Sequence, residues 1–357
     1  MKKRVTAMTL AVVMLLSLSG CGGEKSAPQA DSGEPFAFTD DAGRQVEVAG
    51  EIEGIVPTAA MSQAILLAIA PDLLVGLASR IPDSARGILD EELFDLPCFG
   101  SLSSGATLNV EELAAVGPQL IIDAGEEKKS TAEDMDTLQQ QTGIPAVFIS
   151  TSLETMPDTF RTLGKLLGRE ERGEVLARFC ERVYSRTVSI MEQVGENRVE
   201  CLYVLGEEGL NVIAAGSYHA EVLDMLTENL AVVDNPVGKG AGNQVTMEQI
   251  ALWDPAFVIF APDSIYDSVE EMDAWSHVEA IRSGRFVLVP DNPLNWMSMP
   301  PSVQRYLGLI WLPTVLYPEY CDYDARAEIM EYYELFYGCA LTGEQYETIT
   351  EGAFITP

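Results

Sequence analysis

The amino-acid sequence predicts an α/β fold of two lobes, each with a mainly parallel sheet flanked by helices. Three observations support this prediction. The chain has 357 residues, which is more than one hydrophobic core usually organises. Predicted strands alternate with predicted helices in both halves, a pattern typical of parallel sheets. One sequence pattern of the first half also returns in the second half.

The repeated pattern is a short helix, a turn with proline and an apolar strand. Leu108–Asp123 aligns without a gap with Val245–Phe260, and Glu111 in the first copy matches Glu248 in the second. Thr246 can cap its helix, because a side-chain oxygen accepts from amides that lack an intrahelical acceptor. The repeat favours two similarly built lobes, although such a pattern can also recur by chance in an α/β protein.

The N-terminal segment predicts export and lipid attachment. Three basic residues precede the apolar run Met8–Leu18, which is too short to span a ~30 Å hydrocarbon core as a helix. The following LSGC resembles the lipobox of bacterial lipoproteins, so residues 1–21 are interpreted as a signal peptide that ends at a lipidated Cys21. The alternative is a buried N-terminal helix with an ordinary cysteine. Residues 22–35 are small or polar and predict a flexible tether.

Charge and cysteine content exclude several classes of protein. The formal net charge of −33 disfavours nucleic acid and anionic lipid headgroups as partners. The cysteines beyond Cys21 are scattered, odd in number and without a CxxC pair, so they predict no disulfide framework. They are Cys98, Cys180, Cys201, Cys321 and Cys339, of which only Cys321 and Cys339 are considered as a pair.

The first half is predicted to begin with a hairpin and to continue as alternating strands and helices. Thr58 is expected to cap the helix that follows the strand at 55–56. The predicted elements are the hairpin Phe36–Val48, a helix through Ile69, the strand Leu73–Leu77, the first repeat copy, the helix Ala132–Gln141 and the strand Ala146–Ile149.

A long helix is predicted over Glu170–Val194, with Val175, Phe179, Val183, Ile190 and Val194 on one stripe. At ~1.5 Å per residue it would be about 37 Å long. From the pattern alone it is either a strut between the halves or a surface helix of one lobe. The second half is predicted to contain the strand Val199–Leu205, a helix from Gly216 to about Leu230, the second repeat copy, the strand Val287–Val289, the loop Pro290–Pro301 and the helix Ser302–Leu316.

In order and spacing, these segments resemble the substrate-binding lipoproteins of ABC importers for iron complexes, cobalamin and related ligands. The matching stretches are Phe38–Asp40 with Gly43 and Arg44, Val75 and Gly76, both repeat copies, the helix Glu170–Val194, Trp275 through Pro290, and Leu307–Leu312 with Tyr317 and Pro318. The resemblance covers Phe36–Glu319. It implies an N-terminal lobe over 36–168, a single connecting helix over 169–196, and a C-terminal lobe with a helical tail over 197–357.

The resemblance also implies a partner for the repeat glutamates. In the family, one acidic residue on each lobe docks into basic pockets of the membrane permease, and Glu111 and Glu248 occupy those positions. Two separated carboxylates fix orientation as well as attraction. The alternative is that both carboxylates only interact with the positive ends of their helices.

Ligand-binding candidates follow from the rule that open α/β sheets bind ligands beyond the carboxyl ends of their strands. Thr58 and Ala59 lie at a predicted helix start, where free amides would favour an anionic group. Trp296 could stack on a ligand or fill its own lobe's core. Arg80 and Arg305 could hold a carboxylate or phosphate, or remain ordinary surface residues. The complete set is Thr58, Ala59, Arg80, Ser101 and Glu126 in the first lobe and Glu207, Tyr218, Asp263, Trp296 and Arg305 in the second.

The predicted function is capture of a metal chelate and its delivery to an ABC permease and its ATPase. Only His219 and His277 are available, which disfavours a site for a bare metal ion. The favoured ligand is a ferric siderophore or another iron complex. Haem held by His219 or Tyr218, cobalamin and molybdate are the alternatives. No intrinsic cofactor is expected, and the chain is predicted to be an extracytoplasmic, lipid-anchored monomer. An anchored hydrolase is disfavoured because no GxSxG elbow occurs, whereas a ligand-sensing lipoprotein remains a second possibility.

Overall fold

The computed structural model describes residues 33–101, 110–236 and 242–355. The predicted signal peptide, Cys21 and residues 22–32 of the tether therefore lie outside the described residues, as does the start of the first repeat copy. Among the described helices, none has the length and apolar character that crossing a membrane requires.

A hairpin of two antiparallel strands, β1 (Phe36–Thr39) and β2 (Gln45–Val48), opens the described chain as predicted. Asp40 ties this hairpin to the first lobe. Its carboxylate pairs with Arg44 at 2.9 Å and accepts a hydrogen bond from the backbone amide of Phe148. Arg44 also donates to the carbonyl of Ala146, so both charged residues anchor the hairpin on the sheet.

The first sheet has three parallel strands in the order β3-β4-β5, with helices in the connections between them. The predicted strand Leu73–Leu77 is wrong: the chain forms a 3-10 turn at Pro71–Leu73, and only single bridges join Leu74 to Ile55 and Leu77 to Cys98. The elements are β3 (Ile55–Pro57), α1 (Ala60–Ile69), α2 (Val110–Val116), β4 (Leu120–Gly125), α3 (Thr131–Thr142), β5 (Ala146–Ser150) and α4 (Met156–Leu166).

The long helix α5 spans Glu170–Val194, as predicted, and packs against both halves. It contacts α4 of the first half most closely, because Gly164 and Gly173 leave no side chain between the two helix backbones. It also contacts the helix at Arg305–Leu316 in the second half. Of the two alternatives, α5 is therefore the strut that joins the halves. One residue of the predicted apolar stripe, Val175, is 47% exposed.

The second sheet repeats the parallel part of the first sheet and extends it. Its strands lie in the order β11-β10-β6-β7-β9, with β8 beside β6; β6, β10 and β11 are parallel. The repeat copies are α2–β4 and α7–β10, and both strands lie in the middle of three parallel strands. The elements are β6 (Glu200–Leu205), β7 (Asn211–Val212), α6 (Glu221–Leu226), β8 (Glu228–Asn229), β9 (Asn243–Gln244), α7 (Met247–Trp253), β10 (Phe257–Phe260), α8 (Glu279–Arg282) and β11 (Phe286–Leu288).

The helix predicted from Gly216 to Leu230 is shorter in the structure. A 3-10 turn at Tyr218–Ala220 leads into α6, which ends at Leu226 because Glu228 and Asn229 pair with β6 as a strand.

The C-terminal helices are α9 (Arg305–Leu316), α10 (Ala325–Tyr337) and α11 (Gly343–Ile349). Although α10 follows the second lobe in sequence, it also packs against the first: Phe336 meets Phe160 and Phe179, with ring centroids 5.9 and 5.3 Å apart. The Cys321–Cys339 pair that the sequence analysis considered is not formed. Both thiols are free, and Cys339 contacts the carbonyl of Gly87 instead.

Candidate functional site

A cleft of about 160 Å³ lies between the lobes, beyond the carboxyl ends of β3 and β4. This is the location that the topology of parallel sheets predicts. Most of its wall comes from the first lobe, and the second lobe contributes three residues. The lining residues are Ala59, Met61, Asp123, Gly125, Glu126, Lys128, Thr131, Asp134, Met135 and Phe148 on one side and Tyr218, His219 and Pro301 on the other.

The amides of Thr58 and Ala59, which precede the start of α1, are both engaged in hydrogen bonds. The amide of Thr58 donates to the carbonyl of Ile122 at 3.1 Å, and the amide of Ala59 donates to the hydroxyl of Ser62 at 3.1 Å. The Thr58 hydroxyl does not cap α1; it donates to the carboxylate of Asp123. The carboxylate of Asp123 therefore stands beside this helix start, and its charge opposes the anionic group predicted there.

Burial raises the pKa of Asp123 above its usual value of 3.8, although the hydrogen bond from the Thr58 hydroxyl and the charge of Lys128 act in the opposite direction. The cleft carries three carboxylates, on Asp123, Glu126 and Asp134, against the single ammonium group of Lys128. Its charge is thus better suited to a ligand with positive charge or a metal centre than to an oxyanion.

His219 is the second-lobe residue whose orientation is best defined. Its Nδ1 lies 2.9 Å from the carbonyl oxygen of Ser298. Since a carbonyl oxygen only accepts, Nδ1 carries the proton and Nε2 keeps its lone pair. Burial lowers the pKa of His219, and the nearby guanidinium of Arg305 lowers it further, so the ring is neutral at neutral pH. A neutral imidazole with a fixed tautomer is a competent metal ligand.

Direct hydrogen bonds join the lobes around this cleft. The hydroxyl of Tyr218 donates to the carbonyl of Thr151 at 2.8 Å, and the carboxylate of Glu221 accepts from the amide of Leu153 at 2.9 Å. The hydroxyl of Ser302 donates to the carbonyl of Met61 at 2.8 Å. The Tyr218 hydroxyl is therefore engaged in holding the lobes together.

Two predicted ligand-binding residues are fully buried and do not line the cleft. Arg305 is fully buried; its Nη1 lies 2.5 Å from the carboxylate of Glu221 and donates to the carbonyl of Tyr218 at 3.2 Å. Trp296 is also fully buried and packs edge-on against Trp311. Of the two alternatives for Trp296, the structure therefore supports the one in which this side chain fills the core, and Arg305 supports the cleft wall instead of presenting its charge to a ligand.

The remaining predicted residues divide into two groups. Ala59, Glu126 and Tyr218 line the cleft, whereas Arg80 lines a separate hollow of about 70 Å³ on another side of α1. Glu207 and Asp263 are exposed in the loops after β6 and β10, and Ser101 is half-buried. None of these three is among the cleft-lining residues.

Sequence reasoning did not select several residues of the cleft. Asp123 and Lys128 could have been found, because Asp123 lies near the carboxyl end of β4 and Lys128 lies in the loop that follows this strand. Met61, Met135 and Phe148 carry no such signal, since apolar residues at those positions predict a core. Among the described residues, no group of three or more histidines, cysteines and carboxylates is placed to hold a metal ion by itself.

The repeat glutamates are exposed, and each lies one residue after the start of a short helix, Glu111 in α2 and Glu248 in α7. The side chain of Thr246 caps α7 as predicted, accepting from the amide of Gln249 at 3.2 Å. Hydrogen bonds from its own backbone amide and from Thr246 lower the pKa of Glu248, which keeps this carboxylate ionised.

Two α/β lobes, a connecting helix and a small cleft between the strand ends define the class of two-lobed solute-binding proteins. The model of the family described as periplasmic binding protein matches residues 100–293, more than half of the chain, and the chain belongs to this family. No curated protein sequence matches the chain significantly.

Solved structures share the fold over almost their whole length. An ABC transporter solute-binding protein from Sulfurospirillum deleyianum is 25% identical, with a TM-score of 0.81 over 88% of this chain and 99% of its own. A periplasmic solute-binding protein from Veillonella parvula is 24% identical, with a TM-score of 0.75 over 89% and 98%. MolA, the molybdate-binding periplasmic protein of Haemophilus influenzae, is 18% identical, with a TM-score of 0.68 over 86% and 99%.

These likenesses confirm the predicted relation to the substrate-binding proteins of ABC importers and the two-lobed fold. The chain is a periplasmic solute-binding protein of an ABC transporter and not an enzyme.

Proposed function

We propose that this protein captures a metal chelate with an open coordination position, most specifically a ferric siderophore or other iron complex, and delivers it to an ABC permease. The observation that carries the proposal is His219, whose neutral ring lines an acidic interlobe cleft with Nδ1 held by the Ser298 carbonyl. Imidazole is a suitable ligand for iron, and a single imidazole cannot hold a bare ion. The metal would therefore arrive with most of its ligands already supplied by a chelator.

The same lining gives the other polar groups their roles in this proposal. Glu126 and Asp134 are exposed carboxylates on the first-lobe side, and they would favour a chelate with positive charge around the metal. Met61, Met135 and Phe148 provide apolar surface for the organic part of the chelator. A cleft of about 160 Å³ is small against the ~300–1,000 Å³ of typical ligand sites, so a large chelate requires the lobes to move apart.

A second candidate is a small oxyanion. The limited volume of the cleft favours it, and the structurally similar MolA was solved with molybdate bound. The excess of carboxylates over Lys128 opposes it, because an oxyanion would have to approach three like-charged groups.

Delivery would use the surface charges at the ends of the two lobes. We place Glu111 and Glu248 in contact with the permease, since both are exposed at equivalent positions of the repeat. We also propose that a lipid on Cys21 anchors the protein to the extracytoplasmic side of the cell membrane, on the basis of the basic end, the short apolar run and the LSGC motif. A ligand-sensing lipoprotein remains the alternative to transport.

The ligand proposal can be tested by titrating the purified chain with ferric complexes of tetradentate and hexadentate chelators, and with molybdate. We expect the tetradentate complex to bind and to shift its charge-transfer absorption, because Nε2 of His219 fills the open position. His219→Ala should remove the shift and weaken binding by about 10–100-fold, the range typical of a lost interaction in a metal site.

His277→Ala is the matched control. His277 is the other histidine of the chain, it is exposed, and it does not line the cleft. This variant should bind like the unmodified protein. If the protein binds molybdate and none of the ferric complexes, its ligand is an oxyanion and the proposal of a metal chelate is wrong.

A further inference from the structure

The surface around Glu248 differs from the equivalent surface around Glu111. Leu252 and Val232 are 78% and 75% exposed, the largest exposures among the large hydrophobic side chains of the described residues. Leu252 lies four residues after Glu248 on α7, so both side chains share one helix face. In the first copy of the repeat, the position of Leu252 is occupied by Ala115.

A shallow hollow of about 350 Å³ lies beside Val232 and the adjoining face of α7, and Leu252 is exposed on the same helix without lining the hollow. Val232, Val245 and Trp253 line it together with Val233, Asp234, Gln244, Thr246 and Gln249. Asp234 is the one charged member of this lining, and it has the same sign as Glu248. We call Val232, Leu252 and this lining the α7 patch.

Where the structure describes side chains at the first-lobe end, it shows charge without comparable apolar area. Among residues 111–116 of α2, the exposed ones are Glu111, Glu112, Ala114 and Ala115, and none of these is large and apolar. On a protein with a net charge of −33, an exposed cluster of apolar side chains beside a carboxylate marks an interaction site more strongly than single exposed residues do.

We infer that the permease-docking surface is asymmetric and that the α7 patch is the part of it that holds the permease in place. This inference rests on the proposed delivery to a permease. The occupant of the α7 patch is the extracytoplasmic face of the ABC permease, at a site that presents a basic group for Glu248 and an apolar pocket for Leu252. Charge complementarity selects this partner, because both ends of the protein are acidic and a second copy would bring like charges together. Charge sets the rate and orientation of encounter at both ends, whereas apolar burial at the α7 patch slows dissociation.

The experiment measures binding of the full chain to the ABC permease and its ATPase, reconstituted in lipid nanodiscs, at low and high NaCl concentration. Leu252→Ser should dissociate about 10-fold faster or more with little change in association rate, since a buried leucine contributes on the order of that factor. Val232→Ser should act in the same direction. Glu248→Gln should mainly slow association and reduce its dependence on salt.

Val175→Ser is the matched control, because Val175 is an exposed apolar residue on α5, outside the α7 patch. It should leave both rates unchanged, and all variants should keep the ligand affinity of the unmodified chain. If Leu252→Ser binds the permease like the Val175→Ser control, the anchoring role is wrong while delivery to the permease stands.

Two other outcomes are distinguishable. If the unmodified chain binds its ligand but not the permease, delivery itself fails and the inference fails with it. If sedimentation shows a dimer that Leu252→Ser dissociates, the occupant of the α7 patch is a second copy, which overturns the assignment to a permease.

Discussion

At the scale of single residues, burial decides what each polar side chain of the cleft can do. Arg305 is fully buried, and its guanidinium pairs with Glu221, which in turn holds the amide of Leu153 in the other lobe. A charge placed in this way stabilises the wall of the cleft, because removing either partner would leave the other poorly solvated. His219, by contrast, is half-buried and keeps one nitrogen available to a ligand.

Asp123 gives a prediction about the pH dependence of stability. Burial raises its pKa in the folded protein above 3.8, so the unfolded chain releases this proton at lower pH than the folded chain does. Asp123 therefore lowers the free energy of unfolding as the pH rises above about 3.8 and through the folded-state pKa. Asp123→Asn should remove this loss. The free energy of unfolding of the variant minus that of the unmodified protein should therefore increase from pH 4 to pH 7.

Chemical denaturation of both proteins across that pH range measures the difference. Thr58→Val is the companion variant: the hydroxyl that lowers the folded-state pKa is lost, so the decline relative to Asp123→Asn should continue to higher pH and be larger. A difference between the two proteins that stays constant with pH would show that Asp123 keeps its unfolded-state pKa.

At the scale of elements, the contact between α4 and α5 fixes the strut on the first lobe. A Cβ at Gly173 would lie 2.5 Å from the backbone oxygen of Phe160 and 3.2 Å from the Cα of Gly164. Because the nearest atom belongs to a helix backbone, no side-chain rotation can relieve this overlap. The glycine pair is what allows the two helices to pack this closely.

Gly173→Ala should therefore lower the free energy of unfolding by about 1–3 kcal/mol, the usual cost of overpacking. This outcome runs against intrinsic helix propensity, which favours alanine over glycine by about 1 kcal/mol. Thermal or urea denaturation measures the change. Ser189→Ala on the exposed face of the same helix is the control and should alter stability by less than about 0.5 kcal/mol. A stabilised Gly173→Ala protein would mean that the helices can separate without cost.

At the scale of the whole molecule, self-repulsion is a consequence of composition. The chain has 55 acidic and 22 basic residues, and at low ionic strength their fields extend over about 30 Å. Many arginines are already committed to ion pairs, such as Arg161 with Glu174 and Glu181 and Arg186 with Glu328. The unpaired excess is acidic and opposes the compact state.

Raising NaCl from about 0.01 to 0.3 M should therefore raise the melting temperature by a few degrees, about 2–5 °C, as screening shortens the range of repulsion. The same salt series near pH 4, where many carboxylates are protonated, is the control and should show a smaller rise. A melting temperature that falls with salt at pH 7 would show that the ion pairs outweigh the net charge.

The sequence by itself determined the features that depend on local periodicity. The hairpin, the helix α5 and the repeated helix–strand unit were predicted correctly, because their patterns of apolar and capping residues are contained in neighbouring positions. The resemblance to substrate-binding proteins of ABC importers arose from the order of those elements, and the family match confirms it.

Only the tertiary structure decided which polar residues face the cleft. Leu73–Leu77 looked like a strand but lacks a continuous partner. The sequence left open whether Trp296 and Arg305 face a ligand, and the structure buries both side chains. Burial and ladder pairing join residues far apart along the chain, so local pattern cannot determine them. His219 and Asp123 are likewise far apart in sequence. They line the same cleft only because the two lobes pack together around α5.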